Sequence, residues 1–224
     1  DLSYNNISDI SPLASLTNLA ELYLSRNEIR DISVLAGLKK LTIFSLSDNN
    51  ISDISVLASL PNLTELSLEH MDKLSDISPL AGLTNLTKLS LWYDRKIRDI
   101  SALAGLTNLT SLVLDGTNIK DIRPLANLTN LTSLDLGGGY GFTSQISDIS
   151  ALTGLTNLTT LHLAYNNVRD ISALAGLTNL TDLRFFSMYK LRDISVLSGM
   201  TKLTRLSIVG TNVEDISALA GLTN

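Results

Sequence analysis

The chain has 224 residues and a formal net charge of -5 at pH 7, long enough to bury a large core. By count 46 residues are Leu, 44% are hydrophobic, 17% are charged, 5% are aromatic and Cys is absent. This excludes a disordered chain, a disulfide framework and a thiolate metal site, and the acidic balance argues against nucleic acid, whose phosphates call for clustered Lys and Arg. No apolar run reaches the roughly 18 residues of a membrane span, so no membrane insertion is expected.

Self-similarity dominates what remains. Aligned on a recurring Asp-Ile pair, the copies start at Asp9, Asp31, Asp53, Asp76, Asp99, Asp121, Asp148, Asp170, Asp193 and Asp215. The spacings are 22, 22, 23, 23, 22, 27, 22, 23 and 22, which makes nine full periods. In the unit from Leu19 to Lys40, Leu22 and Leu24 lie two apart and share one side of a short strand, while Glu21, Tyr23 and Ser25 take the other. The following Asp31-Ile-Ser-Val-Leu-Ala-Gly-Leu38 has three-residue apolar steps that suit a 3₁₀ turn. Ser11-Pro12 and Ser78-Pro79 predict a Ser N-cap with Pro at the first helical position. One unit cannot bury Leu19, Leu22, Leu24, Ile29, Ile32, Leu35 and Leu38 alone. Stacked copies bury them at about 1.5 to 3 kcal/mol per side chain, which offsets chain ordering only when several units are present.

The pattern L-x-x-L-x-L-x-x-N-x-I-x-D-I-x-x-L-x-x-L resembles the leucine-rich repeat over essentially the whole chain. Copies such as Asn85-Leu-Thr-Lys-Leu-Ser-Leu91 and Asp170-Ile-Ser-Ala-Leu-Ala-Gly-Leu-Thr-Asn179 are similar to the 22-residue class of bacterial internalin-type surface proteins. The resemblance implies an α/β-class curved solenoid, with a parallel β-sheet on the concave face and short 3₁₀ turns on the convex face. One domain of about ten repeats, residues 1–224, is expected, cut mid-repeat at both ends.

Recurring polar residues have structural readings. Asn5, Asn27, Asn49 and Asn166 follow the last strand Leu by three, where the family's Asn ladder bonds backbone groups of neighbouring coils. Thr117 and Thr211 offer a weaker version, Asp94 only acceptors, and Met71, Gly139 and Met188 nothing, so irregular coils are expected there. A second set, Asn18, Asn62, Asn85, Asn108, Asn130, Asn157 and Asn179, is expected to satisfy the turn after the convex segment. The recurring Asp reads as a cap on the helical turn. Nine Asn-x-Ser/Thr sequons would invite bulky glycans in a eukaryotic secretory pathway, which favours a bacterial origin.

The copies diverge in one place. Phe44 and Phe185 take inward Leu positions, and the other nine aromatic residues fall on outward strand positions or in the loop just after. Length changes fall in the same loop, in order Glu69–Leu74, Trp92–Ile97, Gly137–Ile146 and Phe186–Leu191. Outward positions of adjacent strands stand roughly 4.8 Å apart, and rigid rings gathered on a concave surface suit binding anchors. Candidate partner-binding residues are therefore Tyr23, Glu65, Glu69, His70, Lys88, Trp92, Tyr93, Asp94, Tyr140, Phe142, His162, Tyr165, Arg184, Phe186 and Tyr189. Their mixed charges point to a protein partner, with glycan stacking on Trp92 and Tyr93 as an alternative.

Enzymatic function is not expected. His70 and His162 lie four coils, roughly 19 Å, apart, and the glycines from Gly137 to Gly141 precede no Lys-Ser, Lys-Thr or helix. No cofactor or metal is expected. The expected function is a non-enzymatic binding module for adhesion or recognition, secreted or on a bacterial cell surface. Alternatives are an assembly subunit of a surface structure, self-associating through uncapped ends, and a cytoplasmic scaffold like phosphatase regulators.

Overall fold

The computed structural model describes residues 1–138 and 146–223. Nine short strands form one parallel sheet in sequence order: β1 Glu21–Tyr23, β2 Ile43–Ser45, β3 Glu65–Ser67, β4 Lys88–Ser90, β5 Ser111–Val113, β6 Ser133–Asp135, β7 Thr160–His162, β8 Asp182–Phe186 and β9 Arg205–Val209. A 3₁₀ turn stands in each coil, from Ser11–Ser15 to Ser217–Leu219. The inward position stays in register along the stack: Leu22, Phe44, Leu66, Leu89, Leu112, Leu134, Leu161, Leu183 and Leu206 are successive partners. These side chains and the Leu and Ile of the 3₁₀ turns form one continuous core, with Phe44 and Phe185 buried among the leucines as their positions predict. No helix among the described residues is long and apolar enough to cross a membrane.

The coil Asp does cap the helical turn. In Asp9, Asp31, Asp53, Asp76, Asp99, Asp148, Asp170, Asp193 and Asp215 the Oδ1 accepts the backbone N–H two residues on, at 2.8 Å. The expected Ser cap is displaced by this bond. Ser11 is itself the first 3₁₀ residue, Pro12 the second, and Ile10 occupies the cap position without a side-chain bond. Where the following residue is Arg123, its guanidinium holds the Asp121 carboxyl down at about 2.

Three polar ladders bind coil to coil. Asn49 donates to the carbonyls of Leu24 and Leu46 at 2.9 Å and accepts the Ile29 N–H at 3.0 Å, and Asn27 repeats the pattern one coil earlier. The second Asn set also reaches across coils, rather than closing its own turn. Asn62, Asn85, Asn108, Asn130, Asn157 and Asn179 each donate to a carbonyl of the preceding coil at 2.7–2.9 Å, while Asn18 accepts from Lys40. The Thr two residues later forms a parallel ladder, as in Thr64 to Thr42, Thr87 to Thr64 and Thr110 to Thr87 at 3.0–3.1 Å. The Asn-Leu-Thr that begins at each of these six Asn thus brackets a buried Leu with two cross-coil bonds.

The added residue of each 23-residue copy is taken up in a tight turn. Leu74 N–H bonds to Met71 O, Ile97 to Asp94 O and Leu191 to Met188 O, at 2.9–3.0 Å. These are the irregular coils expected from the missing Asn, and Met71 and Met188 fill the ladder positions as fully buried apolar plugs. Gly139 lies outside the described residues.

Candidate functional site

The site grows out of what each strand leaves on its outward side. Three outward columns run along the sheet, and the one nearest the following loop reads Ser25, Ser47, Glu69, Trp92, Asp115, Gly137, Ala164, Phe186 and Val209. Its middle members are small, and the large rings stand on either side. The result is a hollow of about 590 Å³ over β5–β7, walled by Trp92 and Tyr93 at one end and by Tyr165 and Phe186 at the other, with Asp115, Asp135, His162 and Arg184 along its floor. Trp92 and Phe186 are 38% and 39% exposed.

One backbone position recurs just past most strands in the left-handed region. It holds Tyr4, Arg26, Asp48, His70, Tyr93, Tyr165 and Ser187, with φ between 53° and 65°. Gly116 and Gly210 hold the same place in their coils, as expected where a Cβ is costly. The strand ladder runs on through this residue, as in His70 N–H to Trp92 O and Tyr93 N–H to Asp115 O at 2.8 Å, so the position is set by the sheet and its side chain is thrown onto the loop-side rim. The rings there pair. His70 packs 4.6 Å from Trp92 and 5.1 Å from Tyr93, Trp92 and Tyr93 meet at 5.6 Å, and Tyr165 meets Phe186 at 5.2 Å. The Arg95 guanidinium lies 4.5 Å from the centre of the Tyr93 ring. Gly116 provides the space for Tyr93, because a Cβ there would stand 2.7 Å from its Cδ2.

The floor is an ordered polar network. Trp92 Nε1 donates to Asp115 Oδ2 at 3.0 Å, and His162 Nδ1 stands 3.0 Å from Asp135 Oδ2. Arg184 bonds both oxygens of Asp182 at 2.9 and 2.7 Å, and Arg205 adds a third contact at 3.2 Å. That pairing with Arg184 holds the Asp182 carboxyl below the usual range. Burial, and then the neighbouring Asp135 carboxylate, push Asp115 upward.

Of the residues singled out from the sequence, Trp92, Tyr93, His162, Tyr165, Arg184 and Phe186 line this hollow together, and His70 supports its wall. Glu69 sits one strand before Trp92 in the same column. Glu65 and Lys88 form an exposed ion pair at 2.8 Å on an outer column, Tyr23 bonds Glu21 on β1, and Tyr189 is 64% exposed on the turn beyond the hollow. Tyr140 and Phe142 lie outside the described residues. Asp94 is a correction: it is fully buried, taking the ladder position, where its Oδ1 accepts the Met71 N–H at 2.6 Å. Burial pushes its carboxyl up to about 8.

Sequence reasoning missed Asp115, Asp135, Gly137 and Ala164. Their signal was present as small or acidic residues at outward positions flanked by coils with large ones, but Gly137 reads more readily as the start of a glycine-rich loop.

The fold and sequence have known relatives. A family model for leucine-rich repeats (2 copies) matches residues 1–37, 39–82, 107–154 and 156–199. The crystal structure of the internalin InlC2 from Listeria monocytogenes is similar with a TM-score of 0.79 and 35% identity, covering 88% of this chain and 83% of that one. The internalin InlF from the same organism gives 0.70 and 33%, covering 98% and 76%. At 24% identity and a TM-score of 0.69, a chain of the TLR13–ssRNA13 complex shares the fold, covering 90% of this chain and 30% of its own; in that protein the fold accompanies a nucleic acid, so the fold class does not itself exclude one. No curated protein matches the chain by sequence. With a repeat model over most of its length and internalins at 33% and 35% identity, the chain belongs to the leucine-rich repeat family and to its bacterial internalin-like class.

Proposed function

We propose that the concave hollow is the recognition site of a non-enzymatic binding module, secreted or displayed on a bacterial surface, whose partner in adhesion or recognition is a protein. The observation that carries this reading is conformational. A residue with a Cβ in the left-handed region costs about 1–2 kcal/mol, and this position carries one in seven coils, with a left-handed glycine at Gly116 and Gly210. Tyr93 and Tyr165 bear that cost on the two flanks of one hollow, which β-propensity cannot account for, since neither residue is in β conformation. Large, rigid rings with few rotors are the side chains that anchor protein interfaces. The carboxylates of Asp115, Asp135 and Asp182 oppose a polyphosphate ligand, and the edge-to-face packing within the ring pairs leaves fewer open faces for sugars.

The test compares pull-downs by the wild-type chain and by the combined Trp92→Ala, Tyr93→Ala and Phe186→Ala variant, with bound proteins identified by mass spectrometry and folding checked by circular dichroism. A partner recovered by the first and lost by the second is expected. Equal recovery of every partner by a folded variant overturns the reading.

A further inference from the structure

Building on that reading of the hollow, we infer that the partner inserts a basic side chain, Arg or Lys, over Gly137, between the carboxylates of Asp115 and Asp135 and beside the Trp92 ring. Gly137 is central to the geometry. A Cβ on it would stand 2.8 Å from Asp115 Oδ1 and 3.3 Å from Asp135 Oδ1. Two carboxylate oxygens from neighbouring strands thus converge on space that any other residue would fill. Each carboxylate is also held in place. Asp115 Oδ2 takes the Trp92 indole N–H and Asp135 Oδ1 takes the Gly137 N–H, both at 3.0 Å, while Asp135 Oδ2 meets His162 Nδ1. A carboxylate oxygen has a second lone pair for a charged donor, and ion-assisted bonds of this kind are the stronger ones.

The basic side chains around the pair are bonded elsewhere or act on it from a distance. Lys88 on β4 is spent on Glu65, and Arg184 and Arg205 on β8 and β9 both turn to Asp182. Among the described residues only His162 reaches either carboxylate. Two carboxylates set diagonally on neighbouring coils and aimed at one space repel each other, and an incoming cation relieves this. Trp92 stands directly beside the pair through the bond of its indole N–H to Asp115. A guanidinium, with five donors in a planar fork, can serve both oxygens at once, so Arg should outdo Lys.

Trp92 is the single tryptophan of the chain, so its fluorescence reports on the hollow. The probes are the peptides Ac-Gly-Gly-X-Gly-Gly-amide with X as Arg, Lys, Gln or Glu, and calcium chloride. Saturable change is expected with the Arg peptide, weaker with Lys, and at least about tenfold weaker with Gln and Glu. Asp115→Asn and Asp135→Asn should each weaken the Arg peptide by about tenfold or more; both residues lie outside the Leu core, and retained thermal melts keep the result interpretable. The inference is overturned by no saturable response, by equal response to the Gln or Glu peptide, by response to calcium alone, or by Arg binding that survives both substitutions. If the peptides fail while the triple alanine variant still loses its partner, the basic side chain is wrong and the concave site stands. If that variant loses no partner, the concave site itself is wrong.

Discussion

The coils of β1 and β2 and those of β3–β8 share one buried apolar core and differ in how their polar groups are spent. In the first region neighbouring coils satisfy one another: Ser25 bonds Ser45 at 2.6 Å, Ser47 bonds Ser67 at 2.8 Å, Arg26 pairs with Asp48, and Asn27 and Asn49 complete the ladder. In the second, Met71, Asp94, Thr117 and Met188 interrupt that ladder, which Asn166 resumes only in the β7 coil, and the outward columns present rings and carboxylates with capacity to spare. The difference teaches that the scaffold tolerates a weaker ladder where the surface is elaborated, because the core beneath is unchanged.

This contrast can be broken by experiment. The largest effect is expected for Asn49→Ala, which strips partners from the buried backbone groups of Leu24, Ile29 and Leu46 and should cost about 3 kcal/mol in urea unfolding. A loss no greater than that of an exposed Asn would show that the complete ladder is not what stabilises the first region.

Asp94→Asn should act in the opposite direction. The Asp94 carboxyl keeps its proton in the fold up to about pH 8, whereas in the unfolded chain it ionises near its ordinary value of 3.8. Between these limits the folded state holds more protons, so Asp94's contribution to stability falls as pH rises and is level above pH 8. An amide supplies the missing ladder donor without a charge. The substitution should therefore raise stability by a few kcal/mol at pH 7 and change little below pH 4. The capping aspartates behave inversely. Asp31, for example, is held low by the Ser33 N–H, so its contribution is present above the unfolded value and is lost as pH falls through the lowered one. Subtracting wild-type from variant curves isolates Asp94, and a flat difference from pH 4 to 8 would refute its buried protonation.

The smallest effect sharpens the comparison on the surface side. Gly116→Ala places a Cβ at φ +75°, 2.7 Å from Tyr93 Cδ2, and should cost about 1–2 kcal/mol while turning Tyr93 away from the hollow. Crystallography or Tyr93 ring shifts by NMR would check the displacement, and an unmoved ring would show that Gly116 is not what seats it.

Much of this was legible in the chain. The inward alternation of Leu22 and Leu24, the three-residue steps after Asp31 and the coil length follow from local spacing. In a solenoid local spacing also names the neighbours, because residue 22 meets residue 44. Of the candidate site, the rings and their common side could be read. Tyr93 and Tyr165 could not be placed in the left-handed region, since their coils carry no glycine there to mark it. Asp94 follows Leu91 by the same three residues as the ladder Asn, so its place was legible, but a lone carboxyl at that spacing also reads as a surface acid until its neighbours are known.

The sequence by itself determined the period, the strands and turns, the buried face and the loop in which copies diverge, because each is dictated by residues within one repeat and multiplied by stacking. The tertiary structure alone decided which rings pair, that Asn62 and Thr64 bond to the coil before, that Asp94 is buried, and that Asp115 and Asp135 converge over Gly137. Those outcomes depend on the offset between coils and on the torsions of side chains some 20 residues apart, which repeat spacing does not specify.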